Sequence, residues 1–226
     1  MLEVIATCVN DVQKIIEGGG QRIELVSALS EGGITPSGAL VKHAVRAAGA
    51  VPVMVMIRPH AQSFVYSRED MKVMKEDIET ALSHGAAGIV LGALTSKREL
   101  DRDALDRIFS ADLKRRSVTF HRALDQAANL ATALTQLLDY PVDRILTSGG
   151  PGNIMDNLKM LKHLAALGGG KIKIMAGGGV RLNNVQAIME TAGIEEIHVG
   201  TPVRKSGGCM EPIDPLIVRQ FRDIMR

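Results

Sequence analysis

Residues 118–125 read VTFHRALD, an apolar and β-branched run that breaks into His121, Arg122 and Asp125. An imidazole titrates closer to neutral pH than any other unperturbed side chain, so His121 is a candidate general acid or base. Asp125, or Glu24 in the segment RIELV (22–26), is a candidate carboxylate to orient it, and His198 in EIHVG (196–200) is a candidate second proton-transfer group. Arg58, near the end of VMVMIRP (53–59), offers a fixed positive charge suited to an anion. Such a set supports proton abstraction beside a carbonyl, as in isomerases and aldolase-like lyases. A plainer reading stands beside each residue. Glu24 with Arg58 or Lys173 is equally a satisfied buried ion pair, and a lone inward histidine is often a core hydrogen-bonding group. Lys173 lies too deep in its segment for a Schiff base, so a salt bridge is expected there.

Three glycine-rich segments follow late apolar runs: TSGGPGN (147–153), AGGGVR (176–181) and GTPVRKSGG (200–208). Glycine lets a backbone approach an anion closely, and free N–H groups at a following helix start can point at it. Ser148, Gly149, Gly150, Gly177, Gly178, Gly179, Gly200 and Thr201 are therefore candidate anion-binding positions, with Arg181, Arg204 and Lys205 nearby. Turn geometry alone also favours glycine at such places, and the anion can be a carboxylate or sulfate as well as a phosphate.

The elements that must position these residues alternate. Short apolar runs at 2–6, 22–26, 51–57, 88–91, 117–120, 144–147, 172–176 and 196–199 read as strands. Amphipathic stretches at 11–17, 37–47, 68–83, 103–109, 130–138, 154–167, 182–191 and 215–225 read as helices. Asn10 and Ser67 are expected N-caps, and Gly18, Gly49, Gly85 and Gly193 are expected just past helix ends. Eight βα units without a low-complexity linker predict one (β/α)8 TIM barrel over 1–226, compact against the roughly 250 residues usual for that fold. An open doubly wound sheet lacks any mark of a strand-order reversal. Strand parity then puts apolar residues such as Ile23, Val55, Phe120 and Ile174 toward the helices. Glu3, Glu24, Met54, Met56, Arg58, Thr119, His121, Lys173, Met175 and His198 are left pointing inward. Isolated buried charge is costly, and Arg58, His121 and His198 fall at C-terminal strand ends, where barrel sites lie.

Composition excludes several classes. Hydrophobic residues make up 46% of the 226, enough for a core, and disorder is not expected. Lys+Arg 27 against Asp+Glu 25 is too balanced for a nucleic-acid or membrane-surface footprint. The longest apolar run, 50–57, is far too short to span a bilayer, and Glu3 interrupts what would be a leader peptide, so a cytosolic location is expected. Two cysteines, Cys8 and Cys209, form no disulfide framework.

On RIELVSALSEGGITPS (22–37), VMIRP (55–59), FVYS (64–67), VTFHRALD (118–125), RILTSGG (144–150) and IMAGGGV (174–180), the chain resembles the CutC family. That resemblance implies a (β/α)8 barrel, cytosolic and homo-oligomeric, linked to copper homeostasis by Cu(I) binding. It places Glu24, Arg58, His121, Arg122, Asp125, Ser148 and His198 in a polar mouth. The chain departs from many relatives where they carry cysteines in the first two strands: Ile5, Ala6 and Val26 stand there instead. His60 follows IRP, and AQS (61–63) replaces a glycine-rich stretch. Cys8 and Cys209 follow the first and last strands, neighbours in a closed barrel, and with Met210 are candidate soft donors for Cu(I).

Two functions follow as expectations: a copper-handling protein carrying Cu(I), and an enzyme acting on a small anionic or phosphorylated metabolite at the barrel mouth. A non-catalytic scaffold would leave the polar mouth unexplained.

Overall fold

Eight short apolar segments form parallel strands: β1 (Leu2–Ala6), β2 (Arg22–Leu25), β3 (Val53–Met56), β4 (Gly88–Leu91), β5 (Ser117–Phe120), β6 (Arg144–Thr147), β7 (Lys173–Ala176) and β8 (Glu196–Val199). In the computed structural model, which describes residues 1–109, 113 and 116–226, they close in sequence order, β1 pairing with both β2 and β8. Among the described residues a helix follows each strand: α1 (Val9–Gly18), α2 (Gly38–Ala48), α3 (Arg68–Ser83), α4 (Arg102–Ile108), α5 (Leu130–Leu137), α6 (Leu158–Gly168), α7 (Val185–Ala192) and α8 (Pro215–Ile224). This is the (β/α)8 barrel that the alternation predicts.

The departures at element ends have local causes. β3 starts at Val53 rather than 51 because Pro52 has no N–H for the ladder and Val51 turns its own N–H back to the Ala48 carbonyl. Asn10 is not the cap of α1. The helix starts at Val9 with Cys8 at the cap position and no side-chain capping bond, and Asp11 ties down the entry by accepting from the Thr7 N–H at 2.9 Å and hydroxyl at 2.8 Å. Gly18 is the last residue of α1, and the left-handed position is Gly19, with φ 83°. Ser67 does cap α3, in a reciprocal box with Asp70. The stretch at 154–167 opens with a tight 3-10 turn over Ile154–Asn157 before α6 begins. α7 starts at Val185 rather than 182 because Asn184 folds the preceding turn, accepting from Arg181 N–H and donating to the Gly179 carbonyl.

Alternation along the strands sorts the side chains into layers. Ile23, Leu25, Val53, Val55, Val118, Phe120, Ile174 and Ile197 join the core between sheet and helices. Val26, Met54, Met56 and Val90 form a separate apolar plug inside the barrel, with Ile5 and Leu29 against it. Toward the N-terminal end the interior is ionic. Arg22 pairs with Glu3 and, at 2.6 Å, with Glu196, which also receives Arg144 at 3.2 Å. Lys173 shares the inward parity but sits at the open lower rim, its side chain 64% exposed and 3.7 Å from Glu196. It is therefore neither a buried partner of Glu24 nor near the mouth, and the expected salt bridge goes to Glu196.

Candidate active site at the barrel mouth

A cavity of about 670 Å³ opens at the C-terminal ends of the strands, lined by residues that include Glu24, Arg58, Phe64, His121, Arg122 and His198. His121 follows β5 and is only 3% exposed. Its Nδ1 accepts the Ala123 N–H at 3.2 Å, which places the proton of the neutral ring on Nε2. That Nε2 is buried and has no hydrogen-bond partner among the described residues. Burial first, and then the nearby Arg58 charge, push the His121 pKa down to about 3, so the ring is a neutral donor at physiological pH. The Phe64 ring packs on it at 4.9 Å between centroids. Gly92 makes room, since a Cβ there would lie 2.6 Å from Nδ1. Neither Asp125 nor Glu24 orients this imidazole, contrary to expectation. The orienting contact is the tight turn that His121 itself caps.

Arg58 is committed to the loops around it. It donates to the carbonyls of Glu31 at 2.9 Å, Gly33 at 3.0 Å and Ala61 at 3.1 Å, and lies 4.8 Å over the Phe64 ring. No ion pair joins it to Glu24. Its Nε is buried without a partner among the described residues.

Asp125 is a brace. Its carboxylate accepts from the Thr147 hydroxyl, from the Ser148 N–H at 3.0 Å, from the Ser148 hydroxyl at 2.8 Å and from Arg122 Nε at 2.8 Å. Arg122 is thereby laid across Gly178, where a Cβ would fall 2.5 Å from its guanidinium carbon. Of the glycine-rich positions, Gly150, Gly178, Gly179, Gly200 and Thr201 line the cavity. Ser148 is fully buried in the brace. Gly149 packs against Asn157, and Gly177 against Leu146 and His198, so these three serve the wall rather than the opening.

The opposite wall holds Glu3, Glu24 and His198, whose ligand-type atoms lie within 4.8 Å of one another. His198 Nδ1 is 2.7 Å from Glu3 Oε1, and its Nε2 is 3.7 Å from Glu24 Oε2. Burial lifts the Glu24 carboxyl to about 7 against the opposing His198 charge. Burial would lower His198, but the charge of Glu24 and the hydrogen bond and charge of Glu3 outweigh it and raise the imidazole. Glu3 is also driven upward by burial, yet His198 and Arg22 hold it well below the usual carboxylate range.

The CutC family model matches residues 1–202. A family protein CutC of Agrobacterium fabrum is 41% identical over 202 residues, covering 86% of this chain and 78% of that protein. The chain belongs to the CutC family. A copper homeostasis protein cutC homolog of Homo sapiens is 38% identical over 208 residues, 91% of this chain and 76% of the human protein. The crystal structure of CutC from Streptococcus agalactiae superposes with a TM-score of 0.84 at 32% identity, over 89% of this chain and 98% of its own. A phosphoribosyl anthranilate isomerase from Thermococcus kodakaraensis shares the fold alone: TM-score 0.63, 16% identity, 100% of this chain and 98% of that one.

Within this CutC barrel, the motif residues Glu24, Arg58, His121, Arg122, Asp125 and His198 all line the cavity. At the positions where a CutC cysteine was expected, Ile5 lines the cavity wall, Ala6 is buried in the core, and Val26 is buried in the interior plug. Cys8 is exposed, Cys209 half-buried and Met210 90% exposed. Sequence patterning does not mark Phe64 or the partnership of Glu3 with His198 as parts of the site. The inward parity of Glu3 and the pairing of β1 with β8 carry the signal for the second.

Proposed function

We propose that this CutC-family barrel binds a small anionic, oxygen-rich metabolite in its mouth and polarises it for isomerase- or lyase-type chemistry. The observation that carries this reading is the buried Nε2–H of His121, a donor with its tautomer fixed and no acceptor among the described residues. A buried donor left unmatched costs about 1–3 kcal/mol, and a ligand carbonyl or phosphoryl oxygen would satisfy it. Because the ring stays neutral, it acts by donating a hydrogen bond to developing negative charge rather than by taking a proton. Arg122, half-exposed at the rim beside Gly178, supplies positive charge for the anionic group. Mass-spectrometric analysis of molecules released from purified protein tests the reading. The expectation is an anionic metabolite recovered from wild type and lost in His121→Leu. No recovered ligand, together with equal binding of phosphorylated and carboxylate test compounds by both proteins, would overturn it.

The human relative's name favours a second reading, copper handling with Cu(I) as cargo. In this chain that role falls to Cys8 and Cys209, its two thiols, with Met210 beside the second. Anaerobic Cu(I) titration against a competing chelator decides it: unchanged affinity in a Cys8→Ser, Cys209→Ser double variant sinks the idea. Under either reading the proposal includes a cytosolic, self-associating protein, as the family resemblance implies.

A further inference from the structure

We propose that the β2–β8 wall of the mouth is a binding site for a divalent first-row transition ion such as Zn²⁺, with Glu24 and His198 Nε2 as ligands and Glu3 as the carboxylate that orients His198. Glu24 Oε1 is buried, makes no hydrogen bond among the described residues and belongs to a residue only 2% exposed. The 3.7 Å between Glu24 Oε2 and His198 Nε2 is too long for a hydrogen bond. It is close to the span of two ligands each about 2.1 Å from one ion.

The ring is already set up for the task. Glu3 Oε1 takes the Nδ1 side of His198 at 2.7 Å, the carboxylate–histidine arrangement that turns the other nitrogen toward a metal. Arg22 pairs with Glu3 and balances its charge, which leaves the Glu24 carboxylate to meet the cation. Both ligands face the cavity, so water or a substrate oxygen can complete the coordination, as at metal sites that keep an open position. Oxygen and imidazole donors suit borderline divalent ions. Ile5 and Val26 put no thiolate on this wall.

This site goes beyond the small-molecule reading and does not depend on it, because the test uses the metal alone. Zn²⁺ is titrated into metal-free protein at neutral pH against a chromophoric chelator. The expected result is one ion per chain, with affinity weakened at least ~10-fold in Glu24→Gln and in His198→Gln, weakened ~10-fold or more in Glu3→Gln, and unchanged in Cys8→Ser, Cys209→Ser. X-ray absorption at the zinc edge of the wild-type complex is expected to give an oxygen and nitrogen shell with imidazole scattering, a readout that survives if a variant fails to fold. Absence of stoichiometric binding by wild type, a sulfur shell, or loss of binding in the cysteine variant would overturn the proposal. Any of these would leave the His121 reading standing.

Discussion

Asp125 and Ser148 meet twice, through the Ser148 N–H on one carboxylate oxygen at 3.0 Å and the Ser148 hydroxyl on the other at 2.8 Å. The turn after β5 is thereby tied to the end of β6, and Arg122 is held over the loop after β7. Asp125 is 8% exposed, so its loss strands buried donors on Thr147 and Ser148. The Arg122 side chain is 49% exposed, and screening leaves that pair a minor share. Asp125→Ala is expected to destabilise the fold by about 2–4 kcal/mol in urea denaturation, about 1–3 kcal/mol for each stranded buried donor. A loss below about 1 kcal/mol would show that the brace is dispensable.

Gly178 tests whether Arg122 has to lie where it does. Its φ is 86°, and an added Cβ would stand 2.5 Å from the Arg122 guanidinium carbon. Gly178→Ala is expected to cost about 1 kcal/mol or more of stability, part backbone strain and part collision. Arg122→Ala in the same chain should recover the collision part only. Strict additivity of the two substitutions in a double-mutant cycle would show that the residues do not touch in solution.

His121 gives a pH signature. Its pKa is lowered from 6.5 to about 3 by burial and Arg58. Below pH 6.5 the unfolded chain takes up a proton that the folded chain refuses, so stability falls as pH drops from there toward 3, at a limiting slope of about 1.4 kcal/mol per pH unit. Above pH 6.5 the residue contributes no slope. Glu24 has the opposite sign, since its raised pKa lets the folded form keep a proton longer than the unfolded chain. The comparison must therefore be between wild type and His121→Asn. The wild-type curve is expected to fall below the variant's progressively as pH drops, and parallel curves between pH 6.5 and 4 would show that His121 charges freely in the fold.

The barrel was legible because period-2 patterning and glycine punctuation are local signals, and they located β1, β4, β5, β6 and β8 residue for residue. Parity also identified most inward side chains, Glu3, Glu24 and His121 among them. Partner choice was not legible. Glu24 faces His198 rather than Arg58 because β2 and β8 both flank β1, while Arg58 is drawn outward by the carbonyls of Glu31, Gly33 and Ala61. The roles of Arg22, Arg144 and Glu196 depend on their depth along the barrel axis, which strand stagger sets and a single strand cannot reveal. Asp125 reads as a partner for the nearby His121, yet the next strand supplies donors that satisfy it first.

Arg22 then becomes the residue that decides how the ionic end of the barrel is held. It is 4% exposed and pairs with both Glu3 and Glu196, so Arg22→Met leaves two buried carboxylates short of their cation. The expected cost near neutral pH is about 3–5 kcal/mol. In wild type the Glu3 pKa is depressed, so its stabilising contribution is complete above about pH 4.5 and is lost as pH falls through the folded value. In Arg22→Met the carboxylates are no longer held down by that charge, and protonating them relieves the defect. The stability gap measured by urea denaturation is therefore expected to be widest near pH 7 and to narrow as the pH drops below 4.5. A gap that stays constant over that range would mean that the arginine contributes through the packing of its aliphatic stem rather than through its charge.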